Sequence, residues 1–278
     1  MPYRDLVLHL TVGNPEGLQV GIDYAVALAR QSGAHLTALF TRPRLPLAYH
    51  YIPTSVIQEH SRTMELEAQA GRERFNEAIT RADVAGEWVE VQGGSLEAIH
   101  CYGRTADLVL VNQTAGCSND PILGREYGAE LLRHDVAIGL GRPVLMFPCT
   151  PKPDASSERI LVGWNASKEA TRAVHDAMPL LQAAKSVDVL CVGRPDEAAA
   201  KGERLVNHLT RHGVTAQLVL RSGDDAAAGE ILLAEAERLN TNLIVMGAYG
   251  HVRWREVVFG GATETMLEKA PLPVLFSH

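Results

Sequence analysis

The chain has few cysteines, few aromatic residues and no long apolar run, and each shortage excludes a class of protein. Its four cysteines are widely spaced and form no CxxC pair, so the usual zinc and redox motifs are missing. No stretch approaches the roughly 18 uninterrupted apolar residues of a membrane span. The amino terminus lacks the basic segment, apolar core and cleavage site of a signal peptide. We therefore expect a cytoplasmic protein that has reduced cysteines and no membrane partner.

Positive charge is also in short supply. The chain holds 33 Asp and Glu against 26 Lys and Arg, which gives a formal net charge of −7 at pH 7. No run rich in lysine or arginine is present, whereas a nucleic-acid surface needs a basic patch or stripe. We expect no nucleic-acid partner.

Sequence signatures of catalysis are missing as well. The chain contains no GxSxG, no HExxH and no GxxxxGK[ST] phosphate loop. His208 and His212 are four residues apart on a predicted helix, but no third ligand is apparent, so we predict no metal site. We expect a protein that is not an enzyme, and weak ATPase activity is the alternative.

What the chain does contain is a duplication. Three pairs of apolar segments recur in the same order, and a linker rich in Pro and Ser near residues 150–157 separates the two sets. We predict two repeats, at residues 1–150 and 151–278. The matched segments are DLVLHL and RILVGW (5–10 and 159–164), ADLVLVNQ and TNLIVMGA (106–113 and 241–248), and GRPVLMFP and APLPVLFS (141–148 and 270–277).

Short apolar strands alternate with helical stretches in both halves, and this pattern is typical of an α/β fold with a parallel sheet. We predict two tandem, open, parallel five-stranded sheets flanked by helices. Edge strands near 143–147 and 273–276 would otherwise be exposed, so we expect the repeats to pack as an intramolecular pseudo-dimer. A homodimer of two chains is left open. A long helix near 55–82 is expected to lie on the surface.

A glycine-rich loop in the second half is the strongest functional signal. The apolar strand Leu243–Met246 runs directly into Gly247 and Gly250, and Gly260 and Gly261 open the next helix. Glycines between a strand and a helix let the backbone approach a ligand, and the helix start offers unpaired N–H groups and a positive dipole end. That arrangement suits a phosphate. The alternative is that the glycines only make tight turns.

These residues resemble a family motif. The spacing of glycine, two residues, glycine, nine residues and glycine is met by Gly247, Gly250 and Gly260, although Gly261 stands where the motif has Ser or Thr. Asn165 stands at the acidic position after the first strand. The chain resembles a tandem universal stress protein, and the resemblance implies a Rossmann-like fold of the adenine-nucleotide alpha hydrolase-like group. It also implies ATP binding, with ADP or AMP as alternatives and Mg²⁺ as companion.

The resemblance places the nucleotide by position. Asn165 would lie near the adenine, Val162 and Met246 would line an apolar slot, and the loop glycines would pass beneath the ribose and phosphates. The start of the last helix would offer N–H groups to phosphate. The absent hydroxyl at Gly261 weakens such a site by about 1.5–3 kcal/mol. The candidate site residues are Val162, Asn165, Gly223, Met246, Gly247, Gly250, His251, Gly260, Gly261, Ala262 and Thr263.

The first half lacks this loop. Gln113 stands where Gly247 stands in the second half, and its Cβ would block a close approach of the backbone. We predict that the first repeat, with a degenerate glycine loop, binds no nucleotide at the equivalent place.

The predicted function is a stress-response sensor that binds ATP in its second repeat. One alternative is an interaction protein of the same fold without nucleotide, which Gly261 favours. The other is a slow ATPase or adenylate-handling enzyme, in which Asp224 and Asp225 would hold Mg²⁺. Their simpler role is to cap the helix that follows.

Overall fold

The computed structural model describes residues 2–13, 15–42, 54–113, 135–148, 156–224, 226–249 and 261–278. The chain forms two compact units, an amino-terminal unit at Pro2–Val136 and a carboxyl-terminal unit at Ala137–His278. The predicted repeat boundary at residue 150 rests on sequence similarity and is a different division. In both units strands alternate with helices, so the predicted α/β class is confirmed.

The amino-terminal unit contains four described strands and three described helices. They are β1 (Asp5–Thr11), α1 (Pro15–Ser32), β2 (His35–Arg42), α2 (Thr54–Ala82), β3 (Gly86–Gln92), α3 (Ser95–Gly103) and β4 (Leu108–Asn112). The strands are parallel in the order β3-β2-β1-β4.

The carboxyl-terminal unit begins at Ala137, within the helical segment α4 (135–139). Its other described elements are β5 (Val144–Phe147), β6 (Arg159–Gly163), α5 (Lys168–Asp176), α6 (Met178–Ala183), β7 (Ser186–Val192), α7 (Pro195–Arg211), β8 (Ala216–Arg221), α8 (Ala228–Arg238), β9 (Leu243–Gly247), α9 (Ala262–Lys269) and β10 (Val274–Ser277). Their sheet has the order β5-β10-β9-β6-β7-β8.

One strand departs from the predicted pair of five-stranded parallel sheets. β5 lies in the first of the two predicted repeats, but in the structure it belongs to the carboxyl-terminal unit and pairs antiparallel with β10. Each of the two strands covers the other's unpaired backbone groups. The packing of the two repeats as a pseudo-dimer stays a prediction.

Residues 168–183 form two helices, α5 and α6, instead of one. Pro179 lies in the first turn of α6, where a missing N–H and a fixed φ are tolerated. Ser167 caps the first of them, and its Oγ accepts a hydrogen bond from the N–H of Ala170 at 3.1 Å.

The long helix α2 packs one face on the amino-terminal sheet. Phe75 is fully buried against Trp88, with ring centroids 5.9 Å apart, and Met64 is also buried. Leu66 is 57% exposed, because two residues place it about 200° around the helix from Met64.

The cores consist mainly of Val, Leu, Ile and Ala from the strands and from the helix faces that cover them. Within the described ranges, no helix is both long enough and apolar enough to cross a membrane.

Candidate functional site

The candidate site lies at the carboxyl ends of two adjacent strands, β6 and β9. Gly163 pairs with Met246, and Gly247 pairs with Ser277 of β10, so the three strands end nearly level. The chain leaves β6 towards β7 on one side, while β9 lies on the other side. This is the topological switch point, where open α/β sheets bind ligands.

The register brings some candidate residues together and separates another. Asn165 follows β6 by two residues, and β6 ends at Gly163 beside Met246 of β9. Gly223 follows β8, and both β6 and β7 lie between β8 and β9. At about 4.8 Å per strand, Gly223 is on the order of 14 Å from the glycine loop.

Gly247 is packed against a helix. A Cβ added to it would lie 2.4 Å from the backbone N of Ala170 and 2.6 Å from the carbonyl C of Glu169. Both atoms belong to the backbone of α5, which cannot move aside as a flexible side chain does. The missing side chain at Gly247 therefore allows α5 to approach β9. Its expected close approach to a ligand stays a prediction.

Hydrogen bonds from backbone N–H groups tie the two residues after β9 to β10 and to α9. The N–H of Ala248 donates to the Ser277 carbonyl at 2.8 Å, and the N–H of Tyr249 donates to Thr263 Oγ1 at 3.1 Å. Thr263 is buried in the first turn of α9. Its hydroxyl, expected near phosphate, thus ties the start of the loop to the helix that follows it.

The amino end of α9 retains the features of an anion site. Gly261 is the N-cap, with φ −94° and ψ 164°, and it makes no side-chain capping hydrogen bond. It is exposed, and a Cβ added there would meet nothing within 4 Å. Ala262 is the first helical residue, so backbone N–H groups and the positive dipole end are located here. Glu264 in the same turn opposes an anion.

The loop between β6 and α5 is tightly wound. Asn165 is exposed, and its Oδ1 accepts a hydrogen bond from the N–H of Ser167 at 3.0 Å. Ala166 between them has φ 61°, and Tyr249 in the neighbouring loop has φ 53°. A side chain at positive φ costs roughly 1–2 kcal/mol. Both loops of the candidate site therefore carry strained backbone, a feature found at ligand sites.

Val162 and Met246 lie inside the sheet. Val162 is 1% exposed and Met246 is 7% exposed. Their side chains belong to the core of the carboxyl-terminal unit, where they pack beneath the site and stabilise the ends of β6 and β9. The expected apolar slot around an adenine stays a prediction.

Glu169 is a buried acid beside Gly247 that the sequence did not single out. Burial raises the pKa of its carboxyl, but hydrogen bonds from its own backbone N–H, Lys168 and Ser167, with the Lys168 charge, hold the pKa below its usual value. Glu169 therefore stays ionised and adds negative charge at the edge of the site. A glutamate in a first helical turn is common, so no sequence signal marked it.

Several predicted residues lie outside the described part of the chain. They are Gly250, His251 and Gly260 of the glycine loop, and Asp225 after β8. Asp224 is described, and its Oδ1 accepts a hydrogen bond from the N–H of Ala227 at 2.9 Å, just before α8. The N-cap of α8 is Ala227, which makes no side-chain capping hydrogen bond, so Asp224 holds the turn before the helix and does not cap the helix itself.

Buried, hydrogen-bonded polar side chains lie at the corresponding edge of the amino-terminal sheet. His9 Nε2 lies 3.0 Å from Thr41 Oγ1, which lies 2.9 Å from Ser95 Oγ. Burial lowers the pKa of His9 to about 4, so its imidazole is neutral. Gln113 is buried at the position of Gly247. These side chains occupy the strand ends that are glycine-lined in the other unit.

The amino-terminal unit also has a groove that the sequence did not reveal. It measures about 590 Å³ and lies between the end of β3 and α3. Gly93 and Gly94 leave it open, and Glu97, Cys101 and Tyr102 line its far side. It lies at the end of the sheet away from β4.

Comparisons with known proteins agree with this geometry. The family model of the universal stress protein family matches residues 156–278. No curated protein matches the chain. A solved universal stress protein from Archaeoglobus fulgidus DSM 4304 is similar over 98% of this chain and 95% of its own, with 17% identity and a TM-score of 0.72.

Two further solved structures show how widely the fold is used. A functionally unknown protein from Pseudomonas aeruginosa PAO1 is similar over 99% of this chain and 92% of its own, with 15% identity and a TM-score of 0.60. The cytoplasmic domain of a prokaryotic cation chloride cotransporter is similar over 98% and 94%, with 11% identity and a TM-score of 0.53. At such identities the likeness concerns the fold alone, so function has to be argued from the site.

Proposed function

We propose that the carboxyl-terminal unit binds an adenine nucleotide at the ends of β6 and β9, because residues 156–278 match the universal stress protein family model. The ligand is ATP with Mg²⁺, or ADP or AMP. The protein acts in the cytoplasm as a stress-response sensor whose signal is the occupancy of this site.

The observation that carries the proposal is the free start of α9. Gly261 is exposed, lacks a side-chain cap and faces open space. Helix starts of at least two turns present N–H groups and a positive dipole end to anions. The hydrogen bond between Tyr249 and Thr263 keeps that start beside the end of β9. The donors that remain are backbone groups, which suit phosphate oxygens.

We propose binding without hydrolysis, because the acid after β8 is poorly placed to hold a metal ion at the phosphates. Asp224 already accepts a hydrogen bond from the turn before α8, and β8 is separated from β9 by two strands. A metal bound to the phosphates would draw on the nucleotide's own oxygens. In this proposal the protein senses nucleotide and is not an ATPase.

Occupancy can become a signal only if the nucleotide favours one conformation over another. The start of α9 is tied to Tyr249 and through Ala248 to β10. We propose that phosphate binding stabilises this connected arrangement and alters a surface that a partner protein reads.

The first test is the identity of any bound molecule. Freshly purified protein is denatured, the released small molecules are analysed by mass spectrometry, and nucleotide affinity is measured by calorimetry. We expect ATP, ADP or AMP. Absence of nucleotide, together with an unchanged unfolding temperature at millimolar ATP and Mg²⁺, would leave an interaction protein that works through its surface alone.

Gly261→Ser tests where the phosphates bind. The open space and extended backbone at this position accept a side chain, and serine adds a hydroxyl donor. We expect nucleotide affinity to rise about tenfold, since one hydrogen bond to a charged group contributes about 1.5 kcal/mol.

Ala262→Asp is the opposing variant. An acid at the start of a helix stabilises the helix, yet here its charge would repel phosphate. We expect affinity to fall at least tenfold while resistance to urea is unchanged or improved. Ala200→Asp adds the same charge to the exposed face of α7 and is expected to change neither property. Equal affinities for the wild type and Ala262→Asp would place the nucleotide elsewhere.

A further inference from the structure

Two histidines stand side by side at the carboxyl end of α7, away from the proposed nucleotide site. His208 lies in the last turn of the helix, and His212 is the residue that caps it. Residues four apart share one face of a helix. Both side chains are exposed, and their ring centroids are 4.5 Å apart.

This separation fits two imidazoles that share one metal ion. A metal bound to an imidazole nitrogen lies about 2.0–2.1 Å from that atom and so about 3.2 Å from the ring centre. Two such rings at a right angle around the ion have centres about 4.5 Å apart. The rings of His208 and His212 are already at that distance, so binding needs rotation of the rings and no movement of the helix.

The electrostatic setting is mixed, but the helix end favours a cation. The last carbonyl groups of α7 give this end of the helix a negative partial charge, which stabilises positive charge close by. The N–H of His212 donates to the carbonyl groups of His208 and Leu209 and so holds the second imidazole at this end. Arg211 is adjacent and opposes the ion.

We propose that His208 and His212 form a surface site for a divalent transition-metal ion. Neutral imidazole suits Zn²⁺, Ni²⁺ and Cu²⁺, with Cu²⁺ bound most tightly, whereas Mg²⁺ and Ca²⁺ take oxygen ligands. No group of three or more His, Cys, Asp or Glu able to hold a metal occurs among the described residues. Water therefore completes the coordination, and the ion exchanges readily.

The test measures Ni²⁺ and Cu²⁺ binding to the full chain by calorimetry at pH 8. Asn207→His combined with His208→Asn keeps the number of histidines but places the pair five residues apart, about 140° around the helix. We expect affinity at this site to fall at least tenfold in that variant and in His212→Asn. His175→Asn removes a lone exposed histidine from α5 and is expected to change nothing.

The Cu²⁺ spectrum supplies an independent reading. Electron paramagnetic resonance of the wild type should show coupling to two nitrogen ligands, and His212→Asn should lose one of them. The proposal is overturned if the variant with shifted histidines binds as tightly as the wild type, or if His175→Asn loses as much affinity as His212→Asn. Urea unfolding without metal shows whether each variant is folded.

Discussion

Gly247 shows how one missing side chain can serve packing. The sequence assigned it to a ligand, because glycines between a strand and a helix often line phosphate sites. In the structure the space that a Cβ would need is occupied by the backbone of α5 at Ala170. Gly261 is the reverse case, since nothing lies within 4 Å of the place where its Cβ would be. The two glycines of one motif therefore have different roles, since Gly247 allows close packing of α5 and Gly261 leaves the start of α9 open.

We expect Gly247→Ala to destabilise the protein by about 1–3 kcal/mol, because an inserted methyl group would push α5 away from β9. Urea unfolding of the wild type and the variant measures the change in free energy of unfolding. Gly261→Ser is the matched control, and we expect it to be neutral or slightly stabilising because serine is a better N-cap than glycine. Unfolding of Gly247→Ala at the wild-type urea concentration would show that α5 can shift without cost.

Among the elements, α8 is fixed to strand β8 by the buried carboxylate of Glu235, which pairs with two partly exposed arginines. Glu235 of α8 is 6% exposed and accepts hydrogen bonds from the side chains of Arg221 and Arg238. Burial raises the pKa of Glu235, but the hydrogen bonds and charges of the two arginines outweigh burial and hold the pKa below its usual value of 4.5. The ionised form is therefore the one that the fold stabilises.

We expect Glu235→Gln to destabilise the protein at pH 7 by about 1.5–3 kcal/mol, the contribution of a hydrogen bond to a charged group. The pKa of Glu235 is lower in the folded than in the unfolded state. Its stabilisation is therefore complete above about pH 4.5 and is lost as the pH falls through the folded pKa. The gap between wild type and variant should shrink in acid, as chemical unfolding at pH 7 and pH 3 would measure.

Glu230→Gln provides the comparison, because Glu230 pairs with Lys269 on the surface, where both side chains are more than half exposed. A surface pair contributes about 0–1 kcal/mol, so we expect a small effect at either pH. A gap for Glu235→Gln that is the same at pH 3 and pH 7 would contradict the ion-pair account.

At the scale of the whole molecule, the two compact units differ from the two predicted repeats. β5 lies in the first predicted repeat but pairs with β10 in the carboxyl-terminal unit, where Val144, Leu145 and Met146 are fully buried. Without β5, the edge of β10 would present unpaired backbone groups to solvent.

We expect a fragment of residues 137–278 to be more stable than a fragment of residues 156–278. The longer fragment keeps β5 on the edge of β10, whereas the shorter one exposes that edge and should associate through it. Thermal unfolding and size-exclusion chromatography compare the two. Equal stability and equal size would mean that β10 needs no partner strand.

Much of the fold follows from local pattern. Strands β4, β6 and β9 lie inside the apolar segments 106–113, 159–164 and 241–248 that the sequence marks, because burial on both faces of a parallel strand leaves a continuous apolar run. The glycine motif is also a local signal, and it indicated the family resemblance and the candidate edge of the sheet.

Long-range contacts decided the rest. No local signal shows that α5 fills the space above Gly247, that Glu169 is buried beside it, or that Gly223 is separated from the loop by two strands. Such facts depend on strand order and on helix packing, which join residues far apart in the chain. The sequence by itself determined which elements form and where a nucleotide would be sought. Only the tertiary structure decided which glycine faces open space, because close packing is a property of neighbours in space.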